Sequence, residues 1–128
     1  MKFSTRAEYG LKAMTNLAKN FPERKSLLLI SKEEGISIKY LEQLFAELKK
    51  HQLVKSYKGK MGGYALNENP KKITAGEIIE TLEGSISPMK CAGSQCALEH
   101  GCSSSLVWAK LGLQIRKTLY GIKLSELI

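Results

Sequence analysis

Between Leu27 and Leu48 two stretches with helical spacing are separated only by Gly35-Ile36-Ser37, and so short a break leaves little freedom in how the two helices meet. Ser26 is a suitable cap for a helix over residues 27–34, in which Leu27 and Ile30 share a face, and Gly35 suits its C-terminal stop. Ser37 then caps a further helix. Ile38, Leu41, Leu44/Phe45 and Leu48 line one side of it, and Lys39, Glu42, Gln43, Ala46 and Lys50 line the other. Two helices joined by a three- or four-residue turn containing glycine describe a helix-turn-helix, although any small helical bundle can contain such a pair.

The next residues narrow the choice. Leu53-Val54-Lys55-Ser56-Tyr57 alternates like a half-buried strand, Lys58-Gly59-Lys60-Met61-Gly62-Gly63 reads as a glycine-rich turn with two lysines, and Tyr64-Ala65-Leu66 returns. A two-stranded hairpin directly after a recognition helix is a wing, whose tip lysines reach phosphate or the minor groove. The expected fold is therefore mainly α with a small β-hairpin. It is a winged helix-turn-helix followed by a long C-terminal dimerisation helix. The groove-facing end of the recognition helix would present Ser37, Lys39, Tyr40, Glu42 and Gln43, with Lys58 and Lys60 on the wing. Gln can bond adenine through two hydrogen bonds, Glu can accept from cytosine, and Lys can reach guanine or phosphate.

Charge points the same way. Residues 1–72 hold 15 Lys/Arg against 7 Glu, and residues 73–128 hold five of each, so the whole net charge of +8 sits on the N-terminal part. A basic head of this kind fits double-stranded DNA as partner, the plain alternative being a solvated basic surface. No apolar run approaches the ~20 residues needed to span a bilayer, and the opening residues carry no secretory pattern. A cytoplasmic protein with no membrane partner is expected.

Thr5-Arg6-Ala7-Glu8 reads as a capping box for a first helix from about Arg6 to Lys19, ended by Asn20-Phe21-Pro22. Thr74 and Glu77 form a second such pattern, opening a helix that Gly84 ends. A last helix runs from Ser104 to about Tyr120, with Ser103 as its cap. Trp108, Leu111, Ile115, Leu119 and Ile122 form a stripe along it, and Leu106, Val107 and Leu113 lie partly off that stripe. So much apolar surface predicts a partner subunit's helix as its cover, hence a homodimer with Trp108, Leu111, Ile115 and Leu119 at the interface. The chain divides into a winged helix-turn-helix over residues 1–84, a cysteine loop over 85–103, and the dimerisation helix with its tail over 104–128.

All three cysteines lie in Cys91-Ala92-Gly93-Ser94-Gln95-Cys96-Ala97-Leu98-Glu99-His100-Gly101-Cys102. Grouped thiols in a reducing compartment are metal ligands or redox switches more often than disulfide staples. Thiolates suit zinc, Cu(I) or an iron–sulfur cluster, and gaps of four and five residues depart from the paired C-x-x-C of a zinc ribbon. Such wider, irregular gaps sit better around a cluster, whose irons are spread over a larger core. A fourth ligand could come from His100, Glu99 or Ser105, or from the partner subunit. Cysteine-based catalysis would need an oriented base, and the second histidine, His51, lies in the recognition-helix region. No enzyme is expected.

Taken together, the chain resembles the IscR- and NsrR-type winged-helix iron–sulfur repressors of bacteria (the Rrf family) along essentially its whole length. The resemblance rests on residues 1–10, MKFSTRAEYG; on 35–45, GISIKYLEQLF; on 58–64, KGKMGGY; and on three cysteines before Leu106-Val107-Trp108. It implies a homodimer on a palindromic operator and an iron–sulfur cluster, two-iron or four-iron, on Cys91, Cys96 and Cys102. It also implies Ser37, Lys39, Glu42 and Gln43 at base edges, and Lys58 at the minor groove, where the family often places arginine. Family members more often have five residues between the first two cysteines, and here there are four. Some members ligate the cluster with a histidine three positions after the last cysteine, and that position is Ser105 here. Others use an acidic residue from the partner's first helix, which corresponds to Glu8 and is placed ahead of His100.

Overall fold

The computed structural model describes residues 3–87 and 104–128. Five α-helices and one hairpin follow in order among them: α1 Thr5–Ala18, α2 Leu27–Glu34, α3 Ile38–Lys50, β1 Val54–Tyr57, β2 Gly63–Leu66, α4 Ala75–Glu83 and α5 Ser105–Tyr120. Short 3-10 turns stand at Pro70–Lys72 and Leu124–Leu127. The apolar side of α3 is fully enclosed: Leu41, Leu44, Phe45 and Leu48 have no exposed surface, and they join Met14 and Leu17 of α1, Ile30 of α2, and Ile78 of α4.

The turn between α2 and α3 is held at several points. Gly35 takes the left-handed conformation at φ 68° and the Ser37 hydroxyl accepts from Tyr40 N, while at the far end of α2 the Ser26 hydroxyl accepts from Leu29 N. The Ser31 hydroxyl donates to the Ile36 carbonyl at 2.5 Å. These bonds satisfy the end groups of both helices and fix the angle at which α3 leaves.

The cap of α1 differs from the expectation. Ser4, not Thr5, is the cap: its hydroxyl accepts from Arg6 N, while Thr5 is already helical and its hydroxyl lies 3.3 Å from that of Tyr40. The cause is tertiary. Both the amide and the hydroxyl of Ser4 bond to the Glu83 carboxylate at the far end of α4, which holds Ser4 in extended backbone just outside the helix. Glu8 is thereby released from any capping role. The long helix likewise starts after Ser104; Ser103, the expected cap, lies outside the described residues.

Two tertiary features carry no periodic signal. Residue 25 pairs with β2 through Lys25 N to Tyr64 O and Tyr64 N to Lys25 O, both 2.8 Å, which adds a one-residue third strand to the wing. The tail after α5 folds back onto the head. Leu124 is fully buried in the head's core, its amide bonds to Ile73 O at 2.8 Å, and Ala75 N bonds to Ile122 O.

A polar cluster ties α1, the α1–α2 loop and α2 together. Lys25 Nζ donates to Asn16 Oδ1 at 2.7 Å and to Glu33 Oε1 at 2.6 Å, and Asn16 Nδ2 donates to Glu33 and Glu34. Asn16 is the one buried polar residue among those described. The Lys25 ammonium, with the Asn16 amide, holds the Glu33 carboxyl below the ordinary glutamate value of 4.5. A depressed folded pKa means the stabilisation is fully present above the unfolded value and is lost as pH falls through the folded one. The thermal midpoint of the wild-type chain should therefore fall more steeply below about pH 4.5 than that of Glu33→Gln. Parallel curves from pH 6 to 3 would remove Glu33 from the acid response.

Candidate nucleic-acid interface

Helix α3 splits along its length. Ser37, Lys39, Glu42, Gln43 and Ala46 are exposed on the side opposite the buried Leu41, Leu44, Phe45 and Leu48. The side chains expected to reach bases thus stand on a helix whose other face is packed. Positions held in this way can read base edges because the backbone beneath them does not move. Tyr40 is set differently. It is half-buried, its ring meets Tyr9 of α1 edge-on at 5.7 Å, and its hydroxyl lies beside Thr5. Tyr40 thus anchors the start of α3 to α1.

The wing is antiparallel, with Val54 opposite Leu66 and Tyr57 opposite Gly63. It is fixed to α3 by Tyr64, whose ring lies 4.9 Å from that of Phe45. Lys58 and Lys60 are both exposed at the tip. Sequence reasoning missed Arg24. Its guanidinium stacks on the Tyr57 ring at 4.1 Å, which places a cation beside the last rung of the hairpin, next to the turn. The only hint in the sequence is the Arg24-Lys25 pair before the Ser26 cap, because a single paired residue leaves no alternation to detect.

The three cysteines and His100 lie outside the described residues. Among the described residues no group of three or more His, Cys, Asp or Glu could hold a metal ion. Glu8 sits on α1 with its side chain 58% exposed and 3.7 Å from Lys12, a loose pair between half-exposed groups. It borders a groove of about 280 Å³ lined by Phe3, Ala7, Leu11 and Ile79. Phe3 also borders a second groove of about 270 Å³, with Gln114, Ile115, Thr118 and Leu119 of α5. A carboxylate that keeps part of its coordination open beside an apolar groove can serve a ligand brought by another chain.

Helix α5 rests on α4 where Gly76 meets the Tyr120 ring; a Cβ there would fall 2.3 Å from that ring. The Tyr120 hydroxyl donates to Glu80, and Arg116 Nη1 donates to the same carboxylate at 3.0 Å. Burial, with Glu80 alongside, raises the Tyr120 phenol. Of the four residues expected at a dimer interface, Leu111 is exposed and Trp108, Ile115 and Leu119 are half-buried; Leu119 packs on Ala7, Ala75, Ile79 and Ile86 of its own chain. Leu106, Val107 and Leu113, which the stripe left to one side, are more exposed, at 63%, 58% and 68%.

His51 closes α3, its Nδ1 3.0 Å from the Glu47 carbonyl. Among the described residues no helix is long and apolar enough to cross a membrane.

The family model for Rrf2, the iron-dependent transcriptional regulators, matches residues 3–128. The chain is similar to the regulator IscR of Aliivibrio salmonicida, with 37% identity over 130 residues, covering all of this chain and 79% of that protein. Among solved structures it is similar to CymR, described as the global cysteine regulator of B. subtilis. The TM-score is 0.80 at 36% identity, covering 99% of this chain and 95% of that one. It is also similar to IscR of T. potens, with TM-score 0.77 and 38% identity, covering 99% and 85%. These relatives share the winged-helix architecture, and they are regulators rather than enzymes. The chain belongs to the Rrf2 family of DNA-binding transcriptional regulators.

Proposed function

We propose that this chain is a homodimeric repressor of a palindromic operator whose DNA affinity is set by an iron–sulfur cluster. The observation that carries the reading is the position of Cys91, Cys96 and Cys102. They fall in sequence between a basic winged head and α5, whose Leu106, Val107 and Leu113 are left exposed. Similarity to IscR proteins supports it. Three thiolates and one carboxylate are a suitable donor set, and Glu8 of the partner subunit is the fourth ligand favoured here. Release of Glu8 from the cap and its place beside the groove support it over His100. A two-iron or a four-iron cluster suits these donors, and when bound it supplies a charge and geometry sensitive to oxidants, nitric oxide and iron supply.

The coupling is a population shift. Two heads must present their α3 helices about 34 Å apart, or a multiple of that, to meet successive major-groove faces. A ligand shared between the cysteine loop of one chain and α1 of the other constrains how the heads sit. It changes operator affinity only by its difference in affinity for the two dispositions. Glu8 lies on the same helix as Tyr9, which meets Tyr40 at the start of α3, so α1 gives a short mechanical route to the reading end.

A second reading rests on similarity to CymR, one solved form of which is described as oxidized. In that reading Cys91, Cys96 and Cys102 act as a thiol–disulfide switch. A third outcome is a structural zinc site. Protein purified without oxygen separates the three. Iron and acid-labile sulfide in matched amounts, with a visible chromophore lost in Cys91→Ala, Cys96→Ala and Cys102→Ala, is the expected result. A colourless protein whose DNA binding is lost on oxidation and regained on reduction would favour the thiol switch, and stoichiometric zinc without sulfide the structural site.

Two expectations concern the contacts. Gln43→Ala should relax base preference at one position of each half-site at a cost of roughly 1–3 kcal/mol. Equal weakening on every sequence would count against base reading. Lys58→Ala should weaken binding and flatten its salt dependence by about one charge, and an unchanged slope would remove Lys58 from the phosphate contacts.

A further inference from the structure

The wing tip holds a residue that the basic character of the arm does not explain. Gly62 N bonds to Gly59 O at 2.9 Å, closing a tight turn with Lys60 and Met61 at its two corners. Such corners usually carry Gly, Pro, Asn, Asp or Ser, which bond to the local backbone or fix its dihedral angles. Met61 has no such reason to be there. It is 81% exposed, the most exposed large apolar side chain among the described residues. The turn that carries it also doubles back closely on β1. A Cβ at Gly62 would fall 2.5 Å from Tyr57 O, so the chain passes too close to itself for any side chain there. Lys58 and Lys60 precede Met61 in the same turn and are exposed as well. An apolar side chain at the apex of an arm that also carries two exposed cations has the chemistry of a minor-groove wedge. The cations meet nearby phosphates, and the apolar group lies against the groove floor and sugar walls. Methionine suits the task because it is unbranched and adapts to an irregular surface.

We propose that Met61 is a minor-groove contact that makes the wing prefer A·T pairs in the operator flanks; this rests on the reading of the chain as an operator-binding regulator. The preference arises because guanine places its 2-amino group on the groove floor, where the thioether would lie, whereas A·T pairs leave that floor free. Lys58 and Lys60 bring the arm to the backbone without reading sequence, and Met61 adds the reading.

The test uses the full-length protein, purified without oxygen, and duplexes that it selects from a random pool. Wild type, Met61→Ala, Met61→Leu and Lys58→Ala are titrated on a selected duplex. Each is also titrated on one whose flanking A·T pairs are replaced by G·C. Met61→Ala should weaken binding to the selected duplex about tenfold, with the salt slope of the wild type, because no charge is lost. On the G·C duplex the penalty should largely vanish. Met61→Leu should restore affinity to within about twofold of wild type on the selected duplex. Its exposure predicts an unchanged melting temperature, so lost binding will not reflect lost folding. Wild-type affinity for Met61→Ala, or an equal penalty on both duplexes, would overturn the inference. Failure of the wild type to select any duplex would instead overturn the operator-binding reading on which it rests.

Discussion

Phe45→Ala should lower the unfolding free energy by roughly 3–5 kcal/mol. Phe45 is the largest fully buried side chain among the described residues. Removing its ring gives up the transfer free energy of a buried aromatic and leaves a cavity. The walls of that cavity belong to helices pinned at both ends, so they can close on it only in part. The lesion also has a functional direction. Phe45 lies on the buried face of α3, and its ring contacts Tyr64 of the wing at 4.9 Å, so it couples the two elements proposed to read DNA. Urea titration should show a lower midpoint with an unchanged slope, and operator affinity should fall even where the variant is fully folded. A loss below about 1 kcal/mol would mean that the core repacks freely around this position.

The second large effect is expected at Gly63. Its φ is 142°, which side-chain-bearing residues rarely adopt, and a Cβ there would lie 2.5 Å from the Lys25 carbonyl oxygen and 2.7 Å from its carbon. Those neighbours are backbone atoms held by the two 2.8 Å bonds between residues 25 and 64, so they cannot rotate aside. Gly63→Ala should therefore cost on the order of 2–3 kcal/mol and detach residue 25 from the wing. Arg24 would then lose its place over Tyr57. Gly59 provides the control. It too has a positive φ, 94°, but open space where a Cβ would go. Gly59→Ala should cost only the conformational strain, about 1–2 kcal/mol. Equal losses at the two positions would show that the approach of residue 25 does not constrain the wing.

Local chemistry made most of the head legible. Ser26, Gly35, Ser37 and Thr74 mark helix ends by side-chain bonds and dihedral preferences that act within a few residues, and the structure places those ends where the sequence suggests. The exceptions are tertiary. Ser4 takes the cap from Thr5 because Glu83, almost eighty positions away, holds it outside the helix. Leu124 enters the head's core from a tail with no periodic pattern, and Lys25 joins the wing as a single residue. The site was legible to the same degree. The split between Lys39, Glu42 and Gln43 and the buried face of α3 follows from helical spacing. Tyr40's attachment to Tyr9 and Arg24's stacking on Tyr57 depend on how distant segments meet. Along α5 the stripe of Trp108, Leu111, Ile115 and Leu119 was visible as apolar spacing. Which of its residues pack inward was decided by the position of α4, and that left Leu106, Val107 and Leu113 the more exposed.

The proposed dependence of operator affinity on the cluster is tested most directly by one titration. Protein carrying its full complement of iron and sulfide is titrated on a selected operator without oxygen. The same preparation is titrated again after the cluster is removed by a chelator and its thiols are kept reduced. The two affinities should differ by about 5- to 150-fold, the usual range of coupling between two sites. Indistinguishable affinities for the loaded and the cleared protein would contradict it.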